Sequence, residues 1–171
     1  MLEDKIRIRT PEELKDRKER FLEICKILEE LDITFFLQGG VLLGARRDNS
    51  FIEWDWDVEI SVFNDELNSN FEKILEKLLE FNFSIWNCRK ENFDSKIDIF
   101  KNYNKDVSFY TIMGWSLDQT KNKYFRNKIS FPDHFLKKFG TIEFYGKKFN
   151  TPYPLDEYLS YQYGDWKNRK R

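Results

Sequence analysis

The residues best suited to chemistry are three acids at alternate positions of the segment 54–62: Asp55, Asp57 and Glu59. The same segment places apolar or aromatic side chains at the other alternate positions, namely Trp54, Trp56, Val58, Ile60 and Val62. This alternation predicts a strand with the acids and Ser61 on one face. Neighbouring carboxylates on that face stand roughly 6–7 Å apart and repel one another. Because a divalent cation would replace this repulsion with coordination, the three acids are candidate metal ligands.

A fourth carboxylate, Asp98, lies between two isoleucines in residues 96–100, a second predicted strand. If this strand lies beside the acidic one, its carboxylate joins the other three. Oxygen-only ligands of this kind suit Mg²⁺ or Mn²⁺. Such an ion polarises a phosphoryl group and helps to generate an oxygen nucleophile. The competing interpretation is an exposed edge strand with an unrelated surface aspartate.

A glycine pair, Gly39 and Gly40, separates a predicted buried strand at residues 33–37 from a predicted short helix at residues 41–47. Glycine allows other groups to approach the backbone closely, and a helix start favours negative charge. The pair is therefore a candidate site for phosphate groups.

The other segments must form the elements that position these residues. Thr10-Pro11-Glu12-Glu13 predicts the start of a core-packing helix that reaches Leu31. Asn64 begins a second predicted helix, with an apolar stripe that ends at Leu79. The remaining predictions are strands at 83–88 and 107–113, a hairpin turn at 102–105, a long loop at 114–130, a helical turn at 131–133, a hairpin formed by 141–144 and 147–150, and a helix at 155–163 ended by Gly164.

Length and composition limit the class of protein. The chain has 171 residues, 40% of them hydrophobic, which is enough for one domain with a packed core. Its net charge of -1 argues against a dedicated nucleic-acid binder, so no nucleic-acid partner is expected. Cys25, Cys88 and the lone His134 form no disulfide or zinc motif. No leader and no apolar run of about 18 residues is apparent, which predicts a soluble cytoplasmic protein.

Residues 35–166 resemble the LicD/fukutin family of the DNA polymerase beta-like nucleotidyltransferase superfamily. The resemblance rests first on Gly39-Gly40-Val41-Leu42-Leu43-Gly44-Ala45-Arg46-Arg47 and Phe51-Ile52-Glu53-Trp54, followed by the acidic strand. Ile97-Asp98-Ile99-Phe100 is similar to the family's later aspartate strand, and Tyr163-Gly164-Asp165-Trp166 to its C-terminal block. The sequence departs from the family pattern at Val41 (usually threonine), Glu53 (proline), and Trp56 and Glu59 (aspartates).

This resemblance implies an α+β, nucleotidyltransferase-like fold over residues 1–171, with a small mixed sheet, packed helices and a C-terminal hairpin plus helix. It implies that Asp57 and Glu59 are paired ligands of Mg²⁺ or Mn²⁺. Asp55 would share or orient that site, and Asp98 would be a third ligand or the general base. The implied reaction moves phosphocholine or an alditol phosphate from a CDP-linked donor to a sugar hydroxyl of a cell-surface glycan, with the enzyme near a membrane surface.

The resemblance also implies contacts to the donor phosphates from Gly39, Gly40 and Arg47, whereas Arg46 is expected to face solvent. Lys123 and Arg126 are further phosphate-binding candidates. Three aromatic residues could form a wall of the site or pack in the core; they are Tyr110, Trp115 and Tyr124.

Two other functions fit the same motifs. One is a nucleotidyltransferase that attaches a nucleotide to a protein or an RNA, since that branch shares the glycine pair and the alternating aspartates. The other is a non-catalytic binding protein on the same scaffold, which Trp56 and Glu59 would explain because they replace family aspartates. The label on the product separates the first from phosphoalditol or phosphocholine transfer, and metal-independent nucleotide binding would indicate the second.

Overall fold

The first helix begins at the predicted capping box. In the computed structural model, which describes residues 7–101 and 108–169, α1 covers Pro11–Glu30. The Thr10 side chain accepts a hydrogen bond from the Glu13 backbone, and the Glu13 side chain accepts one from the Thr10 backbone. Phe21 of α1 lies in the core, with its ring 5.4 Å from that of Phe51.

Four further α-helices follow α1 among the described residues. They are α2 (Gly39–Asp48), α3 (Asn64–Ser69), α4 (Phe71–Glu80) and α5 (Leu155–Tyr163), with a short 3-10 helix at Asp133–Leu136. The single helix predicted from Asn64 is wrong in one respect, because Asn70 separates α3 from α4. The helical turn predicted to start at 131–133 begins at Asp133, because Phe131 and Pro132 end β7. The last helix, which ends before Gly164, is confirmed.

The strands form one mixed sheet, which confirms the α+β class. They are β1 (Phe35–Phe36), β2 (Asp57–Phe63), β3 (Ser84–Arg89), β4 (Lys96–Phe100), β5 (Phe109–Asp118), β6 (Lys123–Arg126), β7 (Ile129–Pro132), β8 (Gly140–Phe144) and β9 (Lys147–Thr151). The order is β3-β4-β5-β2-β1-β9-β8, with β6 paired to β5 and β7. The pairs β2/β5 and β1/β9 are parallel, and the others are antiparallel.

Two sequence predictions about strands are corrected. The acidic strand was predicted from residue 54, but β2 begins at Asp57, so Trp54, Asp55 and Trp56 lie in the turn before it. The long loop predicted at 114–130 is instead the end of β5 followed by the β6/β7 hairpin. With nine strands in the described part of the chain, the sheet is also larger than predicted. The hairpin turn at 102–105 lies outside the described residues.

The pairing register fixes which side chains share a face of the sheet. Glu59 on β2 pairs with Thr111 on β5, and Thr111 pairs with Asp98 on β4. These three residues therefore lie in one row on one face, since directly paired residues point to the same side. Alternate positions on the opposite face are fully buried, including Ile60 and Ile112. Within the described ranges, no helix is both long and apolar enough to cross a bilayer.

Candidate active site

The acidic residues converge on the start of α2. Asp57 and Glu59 are the first and third residues of β2, and Asp55 lies in the turn just before this strand. A Cβ atom built on Gly40 would lie 2.0 Å from Oδ2 of Asp55, and one built on Gly39 would lie 3.3 Å from Oε2 of Glu59. The glycine pair therefore makes room for two carboxylates, and any side chain at residue 40 would displace that of Asp55.

Gly39 also has a conformational requirement. Its φ is +60°, in the left-handed region that glycine adopts at little cost. The backbone can then turn sharply from β1 into α2 and present the first peptide groups of the helix to the acids. Negative charge is stabilised at this end of a helix, so the position suits an anionic group.

The carboxylates are nevertheless crowded. Burial, and then the charge of Asp57, raise the pKa of Asp55. The same two causes raise the pKa of Glu59 from 4.5 to about 7, although Arg126 opposes the change. Like charges gathered in a partly buried place are costly unless a cation joins them. The electrostatics thus leave a deficit of positive charge beside Glu59.

Two arginines hold the turn that carries Asp55. Arg17 is fully buried, and its Nη2 donates to the carbonyl oxygens of Asp55 (3.1 Å) and Trp56 (3.3 Å) and to Oγ of Ser108 (3.2 Å). Arg9 donates to the same Trp56 carbonyl at 3.2 Å. Burial, and then Arg9, lower the pKa of Arg17 to about 10. The buried guanidinium donates to two carbonyls through Nη2 and so fixes the backbone geometry from which the acids project.

Asp98 lies on the same face of the sheet as Glu59, but its strand is not adjacent to β2. Its carboxylate was expected to join the other three if β4 lay beside the acidic strand, but β5 lies between β4 and β2. Adjacent strands are about 4.8 Å apart, so the backbones at Glu59 and Asp98 are separated by about 10 Å. Oδ1 of Asp98 accepts a hydrogen bond from Thr111 (2.8 Å), and its Oδ2 lies 2.6 Å from Nζ of Lys96. These partners orient the carboxylate.

The carboxylate oxygens of these acids are the type of ligand atom that a hard divalent cation binds. Within the described part of the chain, no three acidic, histidine or cysteine side chains are gathered closely enough to hold an ion as they stand. The acids that meet at α2 offer only oxygen, the ligand atom that Mg²⁺ and Mn²⁺ prefer. Their crowding, seen in the raised pKa values of Asp55 and Glu59, is the condition that a bound cation relieves.

A cavity of about 180 Å³ opens beside the glycine pair. Arg126 and Glu59 line it and contribute opposite charges. Tyr163 at the end of α5 closes another side; burial, and then the charge of Asp55, raise its pKa to about 12. The full lining is Gln38, Gly39, Gly40, Glu59, Ser61, Met113, Trp115, Arg126, Ile129, Tyr158, Gln162 and Tyr163.

The floor of this cavity is a connected set of hydrogen bonds. Nε1 of Trp115 donates to Oγ of Ser61 (3.0 Å), and Ser61 donates to Oε1 of Gln38 (3.0 Å). Nε2 of Gln38 donates in turn to the hydroxyl of Tyr158. All four side chains are buried. The network joins β5, β2, the start of α2 and α5, so it fixes the position of α5 over the glycine pair.

The family model for the "LicD/FKTN/FKRP, nucleotidyltransferase domain" matches residues 32–154, which include the glycine pair, all four acids and Arg126. The chain belongs to this family. It is 23% identical over 157 residues to "Ribitol 5-phosphate transferase FKRP" of Mus musculus, covering 88% of this chain and 32% of that protein. It is 28% identical over 145 residues to "Uncharacterized protein RT0683" of Rickettsia typhi, covering 82% of this chain and 43% of that protein.

Another relative, "Uncharacterized protein W02B3.4" of Caenorhabditis elegans, is 34% identical over 105 residues, covering 52% of this chain and 27% of that protein. The chain thus spans about a third of the length of the ribitol 5-phosphate transferase that it matches.

Not every candidate residue of this LicD-family domain lies at the cavity. Arg47 is buried and bonded to the neighbouring Asp48, with Nη2 and Oδ2 2.9 Å apart, so its guanidinium has a partner away from the glycine pair. Arg46 is half-exposed and binds Asp156 of α5 through two hydrogen bonds. Both arginines therefore contribute local ion pairs. Arg126 also has one, with Nε 3.2 Å from Oδ1 of Asp94, but among the described residues it is the arginine that lines the cavity.

Of the remaining candidate residues, one lines the cavity and the others lie elsewhere or pack against neighbouring side chains. Lys123 lines a separate groove together with Lys121 and Lys128. The ring of Tyr124 stacks on Phe131 with centroids 5.9 Å apart, which is a packing contact. Tyr110 is buried and, by the register of β5, points to the opposite face from Thr111. Of the three proposed wall residues, only Trp115 lines the cavity among the described residues.

Several site residues carry no recognisable signal in the sequence. Thr111 and Ser61 are short polar residues inside predicted strands, and their roles depend on strand order. Arg17 differs from these, because it lies on the apolar stripe of α1, four residues before Phe21 and seven before Ile24. A charged residue in that stripe could have marked it as a buried, partnered arginine. Tyr163 could have been associated with the site through the aromatic block near the end of the chain, but its approach to Asp55 and Glu59 depends on how α5 folds back.

Proposed function

We propose that this domain transfers a phosphate-containing small group, of the alditol phosphate or phosphocholine type, from a CDP-linked donor to a sugar hydroxyl of a glycan. The observation that carries the proposal is the meeting of Asp55 and Glu59 with the glycine start of α2, beside a cavity that contains Arg126. Membership of the LicD/FKTN/FKRP family and similarity to a ribitol 5-phosphate transferase support this chemistry.

The proposed roles follow from the contacts. Asp55, Asp57 and Glu59 would hold Mg²⁺ or Mn²⁺, which when bound offsets phosphate charge and polarises the phosphoryl group. Arg126 lies in the cavity with its positive charge close enough to affect Glu59, so it is the best-placed side chain to bind a donor phosphate. The peptide groups at Gly39 and Gly40 add the favourable end of a helix for anionic oxygens.

Asp98 is the proposed general base for the attacking hydroxyl. Its hydrogen bond from Thr111 and its ion pair with Lys96 hold the carboxylate in place, and a carboxylate is a group that can accept a proton. Because β5 separates Asp98 from Glu59, the base and the metal-binding acids can lie on opposite sides of the reacting group. In this arrangement the hydroxyl oxygen bonds to the phosphorus of the transferred group, CMP leaves, and Asp98 takes the hydroxyl proton.

The test is release of CMP from CDP-ribitol, CDP-glycerol and CDP-choline, with Mg²⁺ and a mixture of glycan fragments as acceptors. Wild-type protein should release CMP with at least one donor, and Asp57→Asn should lower the rate at least a hundredfold. Asp118→Asn is the control, since this aspartate caps the turn between β5 and β6. Absence of CMP release with every donor, or equal activity of Asp57→Asn, would contradict the proposal.

Parallel reactions, with base-labelled CDP-linked donors and ATP and with protein and RNA added as acceptors, test the alternative of nucleotide transfer. If the label of a cytidine- or adenine-labelled nucleotide appears on a protein or an RNA, the domain is a nucleotidyltransferase that modifies macromolecules. If the label stays on CMP and the small group appears on the glycan, the proposed reaction is supported.

A further inference from the structure

Three aromatic side chains form a cluster on the same face of the sheet as the acids. The ring of Trp86 on β3 lies 5.6 Å from that of Phe109 on β5, and the ring of Phe100 on β4 lies 6.3 Å from Phe109. Trp86 is 63% exposed, an unusual condition for so large an apolar side chain. We call Trp86, Phe100 and Phe109 the aromatic platform.

The position of the platform is set by the register. Phe109 pairs with Asp57, and Phe100 lies two positions beyond Asp98 on the same strand. β4 lies between β3 and β5, so the contact between Trp86 and Phe109 crosses over β4 in the region of Asp98 and Phe100. The irregularity of β3 between Ile85 and Asn87 falls at Trp86, where a bulge re-aims a side chain. The platform is therefore bordered by Asp57 on one side and Asp98 on another.

A polar border accompanies the rings. Nδ2 of Asn87 lies 3.4 Å from Oδ2 of Asp98, and Thr111 donates to the other oxygen of that carboxylate. Lys96 pairs with the same carboxylate. These groups offer both donors and acceptors beside a flat apolar surface.

Size and charge decide what this surface can bind. Three aromatic side chains bury at most about 450–750 Å² of surface, and two of the three rings are already partly covered. A stable protein interface buries about 800 Å² on each partner, so the platform is too small for one. The acids Asp57 and Asp98 oppose an anionic ligand, and their hydration opposes a hydrocarbon chain. A neutral ring with apolar C–H faces and several hydroxyl groups satisfies both parts of the surface. This is the chemistry of a pyranose sugar.

We propose that the aromatic platform binds a sugar ring of the acceptor, with Trp86 stacked on the C–H face of the ring and Asn87 and Asp98 bonded to its hydroxyl groups. This inference rests on the proposed function for the identity of the reaction. The acids then lie between two subsites: the cavity at Gly39 and Gly40 on one side, and the platform on the other. The hydroxyl that reacts is the one nearest Asp98.

Binding is tested without any donor. Saturation-transfer NMR is recorded with methyl glucoside, methyl galactoside and methyl N-acetylglucosaminide. We expect ring C–H protons of at least one glycoside to be saturated by wild-type protein, a loss of at least tenfold in affinity for Trp86→Ala, and partial recovery for Trp86→Phe. Tyr153→Ala is the matched control, because this tyrosine is 41% exposed but lies after β9, against Lys138.

The inference is overturned if none of the glycosides binds, or if Trp86→Ala binds as well as Tyr153→Ala does. Thermal melting of both variants shows whether each is folded. Since Trp86 is mostly exposed, its replacement should change the melting temperature by less than about 2 °C.

Transfer kinetics separate this inference from the proposed function. With an active donor, Trp86→Ala should raise KM for the acceptor at least tenfold and change kcat by less than threefold. If wild-type protein binds glycosides through Trp86 but releases no CMP, the platform stands and the proposed transferase function fails. If CMP is released and KM does not depend on residue 86, the function stands and the platform is wrong.

Discussion

Replacement of Glu59 by glutamine tests most sharply whether the negative charge of this residue destabilises the metal-free fold. The carboxylate lies against Gly39, where burial and the charge of Asp57 raise its pKa from 4.5 to about 7. An acid whose pKa is higher in the folded state than in the unfolded state destabilises the fold above that pKa. The penalty disappears as the pH falls below the unfolded value. Glutamine keeps the shape and removes the charge.

The magnitude follows from the two pKa values. One pKa unit corresponds to about 1.4 kcal/mol, so the difference between 4.5 and about 7 sets a limit of about 3 kcal/mol at pH 8. Partial exposure of Glu59 to solvent reduces this, and about 1–3 kcal/mol is expected. For a chain of 171 residues each kcal/mol moves the melting temperature by about 2–4 °C, so Glu59→Gln should melt several degrees higher.

The assay is thermal melting in EDTA at pH 8 and pH 5, then at pH 8 with Mn²⁺. In EDTA the gain from Glu59→Gln should be large at pH 8 and fall below about 1 kcal/mol at pH 5. With Mn²⁺ the order should reverse, because the ion stabilises the wild type and binds the variant weakly. Glu143→Gln on the exposed side of β8 is the control and should change neither melting curve.

Two outcomes would refute this reasoning. One is a variant that is less stable than wild type in EDTA at pH 8, which would mean that the charge of Glu59 is satisfied within the fold. The other is an equal gain at both pH values, which would mean that the effect does not come from ionisation.

Three further substitutions test the supporting contacts. Gly40→Ala should keep the fold and raise the free energy of unfolding by up to about 1 kcal/mol, since alanine favours a helix, which a melting curve checks. It should weaken Mn²⁺ binding at least tenfold, measured by calorimetry, because the new Cβ would lie 2.0 Å from Oδ2 of Asp55. Arg17→Met should lower the free energy of unfolding, measured with urea, by about 3–5 kcal/mol, because three acceptors lose a buried charged donor. Arg20→Met on the same helix is the control and should lower it by less than about 1 kcal/mol, because this arginine forms an ion pair at the surface. Tyr158→Phe should cost about 1–3 kcal/mol by the same urea measurement, because it leaves Nε2 of Gln38 without its acceptor.

Local signals in the sequence predicted much of this fold. The capping box at Thr10 and Glu13 set the start of α1, and the alternation in residues 96–100 matched β4 in full. The tight turn at Tyr145 and Gly146 predicted the β8/β9 hairpin. Each of these features depends on residues within a few positions of one another, so their physics is visible without the rest of the chain.

The errors arise where distant contacts override the local pattern. Trp54 and Trp56 continue the alternation of β2, but Arg17 and Arg9 bind carbonyl groups of residues 53–56 and hold them in a turn. The segment 114–130 lacks a clean period because β5 leaves the main sheet and pairs with the short hairpin β6/β7.

The candidate site was predicted in its residue types and only partly in its geometry. The sequence predicted that the glycine pair and the acids belong together, and the structure brings Asp55 and Glu59 to that pair. It did not indicate that the glycines make room for carboxylates. It also could not give the strand order that places β5 between Glu59 and Asp98, because pairing partners are chosen by packing across the whole sheet.

The most direct test of the central claim is a titration of the metal-free protein with Mn²⁺ at pH 7.5, followed by electron paramagnetic resonance of the free ion. We expect saturable binding in the wild type that is lost in Asp57→Asn and Glu59→Gln and retained in Asp118→Asn. Binding that is absent from the wild type, or unchanged in Asp57→Asn, would contradict a metal site built by these acids at the start of α2.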